Sequence, residues 1–202
     1  MPKQRITKDM VVEAAFKIAR QSGIEKVLVK SIADELGCSV QPIYSYCRNM
    51  DGLREEVSNK ARSFIGEYVA LRIDKSDLFR STGRAYIQLA KEEPHILKIF
   101  ILRERRNIYS LKDIYETETN PQVANVIAKD LDISVETARQ LHLNMLIYTI
   151  GLGTIFSVSS PGIPIDEIFL QQEQAHQAFL NESSSNLQFT NRFYEKICGM
   201  DI

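Results

Sequence analysis

The sequence predicts an all-α chain: an N-terminal three-helix unit, a long connecting helix, and a C-terminal helical layer. Three observations carry that expectation. Apolar residues recur at three- and four-residue intervals, from Val11, Ala14, Ala15, Ile18 and Ala19 near the start to Ile168, Ala175 and Phe179 near the end, the period of helices buried along one face. Gly, Pro and residues with capping side chains punctuate these runs, as helix starts and stops require. No convincing strand pattern, internal repeat or low-complexity tract interrupts them.

Thr7 is a good N-cap for a first helix from Lys8 to Gln21, ended by Gly23. Ile32, Ala33 and Leu36 form the apolar side of a second, shorter helix. Gly37 offers the left-handed backbone a tight turn needs, and Ser39 is an N-cap for a third helix. Pro42 falls in that helix's first turn, where its missing N–H costs little. Ile43 and Cys47, four residues apart, share one face, so Val40, Gln41, Tyr44 and Ser45 point elsewhere. That outward face has almost no charge. Its amide, methyls, phenol and hydroxyl suit a DNA major groove, where Gln pairs with adenine edges and aliphatic groups touch thymine methyls. Residues 1–50 therefore read as a helix-turn-helix DNA-binding domain.

From Ile6 to about Val57 the chain resembles the TetR family of bacterial one-component regulators. The resemblance rests on Ile6-Thr7, Glu13-Ala14-Ala15, Gly23, Ile32-Ala33, Leu36-Gly37, Ile43-Tyr44, Tyr46 and Leu53. It implies that Val40, Gln41, Pro42 and Tyr44 face bases, and that Lys30 and Tyr46 meet phosphates or the groove wall. Three positions depart from the family's pattern. Cys47 stands where Phe or Val is usual, Met50 where a Lys commonly touches phosphate, and Leu28 where Ser or Thr usually caps the second helix. Arg48 and Arg54 are natural substitutes for the missing Lys. Beyond Val57 only the helix pattern is similar.

The 202 residues are 44% hydrophobic and 25% charged, which sets aside disordered, fibrous and disulfide-scaffold classes. The net charge of −1 conceals an asymmetry: residues 1–60 carry ten Lys/Arg against eight Asp/Glu, or +2, and the remainder fifteen against eighteen, or −3. This mild excess of positive charge lies on the side expected to meet DNA. Cys38, Cys47 and Cys198 form no CxxC pair, and an odd number of cysteines fits a reduced, cytoplasmic setting with structural thiols. Lys8, Asp9 and Glu13 interrupt the first apolar run, which does not read as a secretion signal. The apolar run Leu143 to Val158 covers sixteen residues, short of the roughly twenty a membrane span needs, and reads as a buried helix.

Residues 51–202 are expected to form a helical dimerisation and ligand-sensing domain. Leu53, Val57, Ala61, Phe64, Tyr68 and Leu71 keep one stripe from Asp51 to about Arg72, a single helix tying the two regions together. Ser76 is expected to cap the next helix, which Glu93-Pro94 breaks, and Pro94 opens a helix bearing Leu97, Phe100 and Ile101. Arg103, Arg105 and Arg106 invite an anionic-ligand reading, but a solvated helix end stabilised by cations near its C-terminus is the simpler and preferred one. Asn120-Pro121 starts a helix with Val123, Val126, Ile127 and Leu131, and Ser134 caps a longer one. That helix is apolar on two sides, Ala138, Leu141, Met145, Tyr148, Leu152 and Ile155 on one and Leu143, Ile147 and Ile150 on the other. Gly151 and Gly153 read as close-approach points within it. After the break at Pro161–Pro164, Asp166 caps another helix, and Ser183–Ser185 link to a last helix ending at Gly199. A helix greasy on both sides needs two coverings, so a homodimer is expected through residues 134–157 and 166–181.

Catalysis is not expected. Glu173 and His176 form a Glu-x-x-His pair with no second copy, His95 and His142 lack neighbours at ligand spacing, and no phosphate loop, nucleophile elbow or zinc cluster is present. No cofactor is implied. Tyr68, Tyr86, Phe100, Met145, Tyr148 and Thr149, with Arg103 and His142 nearby, lie on or beside inward stripes. They either fill a core or line a mostly apolar pocket with a few polar handles; the resemblance to a family with a ligand there favours the pocket. The expected function is transcriptional regulation, in the family's usual mode repression, with release from an inverted-repeat operator on binding a small molecule. Two alternatives stay open: a regulator gated by a protein partner, and an all-α enzyme or carrier without DNA affinity.

Overall fold

In the computed structural model, residues 6–46, 49–159 and 162–184 are described. Every element among them is helical, and no strand occurs. The first helix, α1 (Lys8–Ser22), starts where the Thr7 hydroxyl accepts a hydrogen bond from the Met10 N–H at 3.3 Å and stops at Gly23, whose φ of 97° is open to glycine. A short 3₁₀ turn, Ile24–Lys26, leads to α2 (Val29–Leu36). Leu28 holds the N-cap position without a side-chain acceptor, and Ser31 compensates by accepting from the Leu28 N–H at 3.0 Å. Gly37 takes the left-handed conformation (φ 63°, ψ 34°), and the Cys38 N–H closes on the Ala33 carbonyl at 3.0 Å. The chain then reverses into α3 (Val40–Tyr46). Asn49 caps α4 (Met50–Ala70) by accepting from the Gly52 N–H at 2.8 Å.

The remaining helices are α5 (Leu78–Glu92), α6 (Pro94–Ile101), α7 (Leu111–Glu118), α8 (Gln122–Leu131), α9 (Val135–Ser159) and α10 (Ile165–Ser184). Helix α9 is the axis of this layer and touches α5, α6, α8 and α10, while α4 packs on α1, α5 and α6. One apolar core runs from Val11, Ile32 and Ile43 through Leu53 and Val57 of α4 to Ile87, Leu89, Ile96 and Phe156. It crosses residue 50 without a break. A smaller core gathers Ile127, Ala128, Ala138, Leu141 and Met145 between α8 and α9.

Several local expectations change. Helix α5 begins one residue later than a Ser76 cap implies, because Ser76 is turned onto the Asp74 carboxylate at 2.6 Å and Asp77 takes the N-cap position. The sequence reading has no helix at α7, although Ser110 accepts from the Asp113 N–H and Asp113 from the Tyr109 N–H, a reciprocal cap. Helix α10 starts at Ile165, placing Asp166 in its first turn, and extends through Ser184, where a linker was expected. Gly153 is a close-approach point, since a Cβ there would lie 3.2 Å from Leu97 and 3.3 Å from Ile101 of α6. Gly151 is exposed and meets nothing within 4 Å, so it is not one. The expected helix ending at Gly199, Cys47, Arg48, Pro161, Ser185 and Cys198 lie outside the described residues.

Helix α9 has 25 residues and is long and apolar enough to cross a membrane by length and composition, longer than the sixteen-residue run suggested. Its neighbours instead cover it on several sides, and a third of its most apolar window is buried.

Candidate functional site

Two places concentrate the residues singled out by the sequence. The first is the surface of α3. Ile43 is fully buried and pins the helix to the core, while Val40, Gln41, Ser45 and Tyr44 are exposed, Tyr44 at 63%, and Pro42 is half-buried. Ser39 sits immediately before the helix; because Pro42 is its third residue, one N–H that a cap commonly serves is missing. The Ser45 hydroxyl donates to the Pro42 carbonyl at 2.6 Å, so its proton is engaged within its own helix. Tyr46, expected at phosphates or the groove wall, is half-buried and donates to the Ile6 carbonyl at 2.9 Å, fastening the chain before α1 to the end of α3.

Most cations of the described N-terminal region are paired. Lys8 pairs with Glu56, Lys17 with Glu35, Lys60 with Glu13, Arg20 with Glu93, and Arg54 with Asp51 at 3.6 Å. Lys26 and Lys30, flanking the start of α2, are exposed and make no ion pair among the described residues.

The second place is a cavity of about 350 Å³ between the two cores, with walls of Phe79, Tyr86, Leu97, Phe100, Ile127, Leu146 and Ile150 and polar points at Thr82, Thr149 and His142. An inner extension of about 80 Å³ shares Phe79, Thr82, His142 and Thr149 and reaches Met145, Gln172 and His176. Of the expected ligand residues, Tyr86, Phe100, His142 and Thr149 line the main space, and Met145 lines the extension. Three do not line it. Tyr68 donates to Glu92 at 2.5 Å and lies under the Arg72 guanidinium at 3.5 Å; burial and the Glu92 carboxylate push its phenol well above the usual range. Tyr148 packs edge-on against Phe179 of α10 at 6.3 Å. Arg103 stacks over Phe100 at 4.2 Å and donates to Glu118 at 2.7 Å.

Glu118 explains most of the arginine cluster. Its side chain is 1% exposed and takes hydrogen bonds from Arg103 and, at 2.6 Å, from Arg105. Burial alone would raise its carboxyl, but the two guanidinium groups outweigh burial and hold it below its ordinary value. The expected solvated helix end therefore describes Arg106 alone, which pairs on the surface with Glu104.

Burial disfavours the charged form of two histidines, His142 and His176. His142 Nδ1 lies 3.0 Å from the Tyr115 hydroxyl, tying α7 to α9, and burial pushes its pKa down to about 4. His176 is 3% exposed, packs 5.5 Å from Phe79, and has no hydrogen-bond partner for either ring nitrogen among the described residues. Its sequence partner Glu173 is taken up by Arg80 at 3.0 Å and Arg84 at 3.6 Å. No group of three or more His, Cys, Asp or Glu able to hold a metal occurs among the described residues. Sequence reasoning missed Phe79, Thr82, Gln172 and His176 as cavity residues. Gly83 was their signal: a Cβ there would collide with the Gln172 amide, so glycine leaves room for that side chain beside the cavity. No protein-family model matches the chain, and comparison with characterised proteins finds no similar one.

Proposed function

We propose that the chain is a cytoplasmic, DNA-binding transcriptional regulator of the TetR type, a homodimeric repressor that leaves an inverted-repeat operator when a small molecule enters the cavity. The observation that carries this reading is the face of α3: an amide, a valine and a phenol stand exposed on a helix anchored by Ile43, and α2, which packs on it, begins between two exposed lysines with no ion pair among the described residues. Uncharged side chains to read base edges, flanked by cations to hold phosphates, make the division of labour sequence-specific DNA binding needs. The cavity, apolar with few polar points, has the make-up of a small-molecule site. No catalytic role is assigned.

Dimerisation is supported by α9, whose Ile147, Gly151, Ile155 and Val158 form an exposed strip at helical spacing, and by α10, which packs on α9 and leaves Leu170 exposed. Two-fold pairing there would set two α3 helices against successive major grooves, roughly 34–36 Å apart or a larger whole-turn spacing. Coupling would run through α6, which lines the cavity with Leu97 and Phe100, touches α1, and follows Glu93, the partner of Arg20. A ligand releases DNA only if it binds the non-binding arrangement more tightly. Selection of bound duplexes from a random pool by the full chain tests the reading: an inverted repeat should be enriched, and absence of sequence enrichment overturns it.

A further inference from the structure

The two ends of the cavity differ in what they ask of a ligand. Aromatic walls from Phe79, Tyr86 and Phe100 suit a ring. At the inner end, His176 is buried with both nitrogens unpartnered, although a neutral imidazole has one proton to give and one lone pair to receive. Buried polar atoms are nearly always paired, so such a side chain marks a position built to meet a group from outside the fold. A hydroxyl can meet whichever nitrogen faces the cavity, accepting from the N–H or donating to the lone pair, whereas a carboxylate can only accept and an ammonium only donate.

Charge decides against an ionic head. Arg80 and Arg84 border the inner extension, but each faces both Asp77 and Glu173, two cations against two carboxylates. Elsewhere on the lining, Glu118 is held by Arg103 and Arg105, and Asp130 makes no ion pair among the described residues. A carboxylate or ammonium entering the extension beside His176 would lose water and meet only charges already matched to one another.

We propose that the cavity takes an uncharged, mostly apolar, ring-bearing molecule ending in one hydroxyl, and that His176 on α10 receives that hydroxyl. This deepens the small-molecule reading above, and rests on it only in calling the ligand an effector.

Calorimetric titration of the full chain, without DNA, with butylbenzene, 4-butylphenol, 4-butylbenzoate and 4-butylbenzylammonium varies the head on one skeleton. 4-Butylphenol should bind at least tenfold tighter than the other three. His176→Leu should reduce it to the level of butylbenzene while leaving butylbenzene unchanged, and His176→Gln, which keeps a donor and an acceptor, should restore most of the preference. Imidazole ¹⁵N spectra of the wild-type chain give a readout independent of variant folding: 4-butylphenol should shift the His176 resonances and butylbenzene should not. Tighter binding of either ion, a phenol preference that survives His176→Leu, unmoved His176 nitrogens, or no binding by any of the four overturns the proposal. Because no DNA is present, these outcomes bear on the ligand class, whereas failed duplex selection bears on the regulator reading.

Discussion

Single side chains separate holding from reading. Gln41 and Tyr44 are exposed and Ile43 is fully buried, although the three lie within four residues. Tyr44→Ala should change stability by less than about 0.5 kcal/mol, whereas Ile43→Ala should cost about 2–5 kcal/mol in chemical denaturation. On the selected duplex, Gln41→Ala should lose about 1–3 kcal/mol and relax choice at one base pair. Lys30→Ala should weaken all duplexes alike and lower the salt slope by about one phosphate. Equal losses on specific and random DNA for both variants would remove the assigned face. His142 sets a pH dependence of its own. Its folded pKa of about 4 lies below the ordinary 6.5, so between those values the unfolded chain binds more protons. Stability is then complete above about pH 6.5 and falls by up to about 3 kcal/mol as the pH drops to about 4. His176, lowered mainly by burial, acts in the same direction. Thermal melts across that range should show the decline, and His142→Gln should flatten it.

At the scale of elements, what was legible in the sequence was local. Helices α1 to α4 follow from Thr7, Gly23, Gly37 and one unbroken stripe, because caps and turns act within a few residues. Helix α7 escaped because it is only two turns long with one buried residue, Tyr115, too few positions to show a period. The cavity was half legible for a different reason. A stripe shows that Tyr68, Tyr86 and Tyr148 face inward, but not what stands opposite, and only Tyr86 looks into open space. Filling variants of α9 distinguish these cases. Thr149→Leu enters the cavity and should leave the melting temperature nearly unchanged while weakening ligand binding. Tyr148→Trp meets Phe179 and should overpack α10 by about 1–3 kcal/mol. Equal destabilisation by both would mean that Thr149 also sits in packed core.

The whole molecule is governed by which surfaces remain uncovered and which cores are joined. Ile147→Glu with Ile155→Glu places two charges on the exposed strip of α9, which should convert a dimer to a monomer in sedimentation at micromolar concentration without lowering the monomer's helicity. A wild-type monomer under those conditions would exclude the pairing. The unequal cores have a consequence for motion. The larger core binds α1 through α6 and part of α9 into one block, whereas α8 rests on the small cluster around Ile127 and Leu141. Amide hydrogen exchange should therefore show α1 and α5 opening together at the free energy of global unfolding, and α8 exchanging earlier through its own partial opening. Since Val123, Val126 and Ile127 of α8 form one wall of the cavity, breathing of that single helix would set how fast a molecule enters and how long it stays.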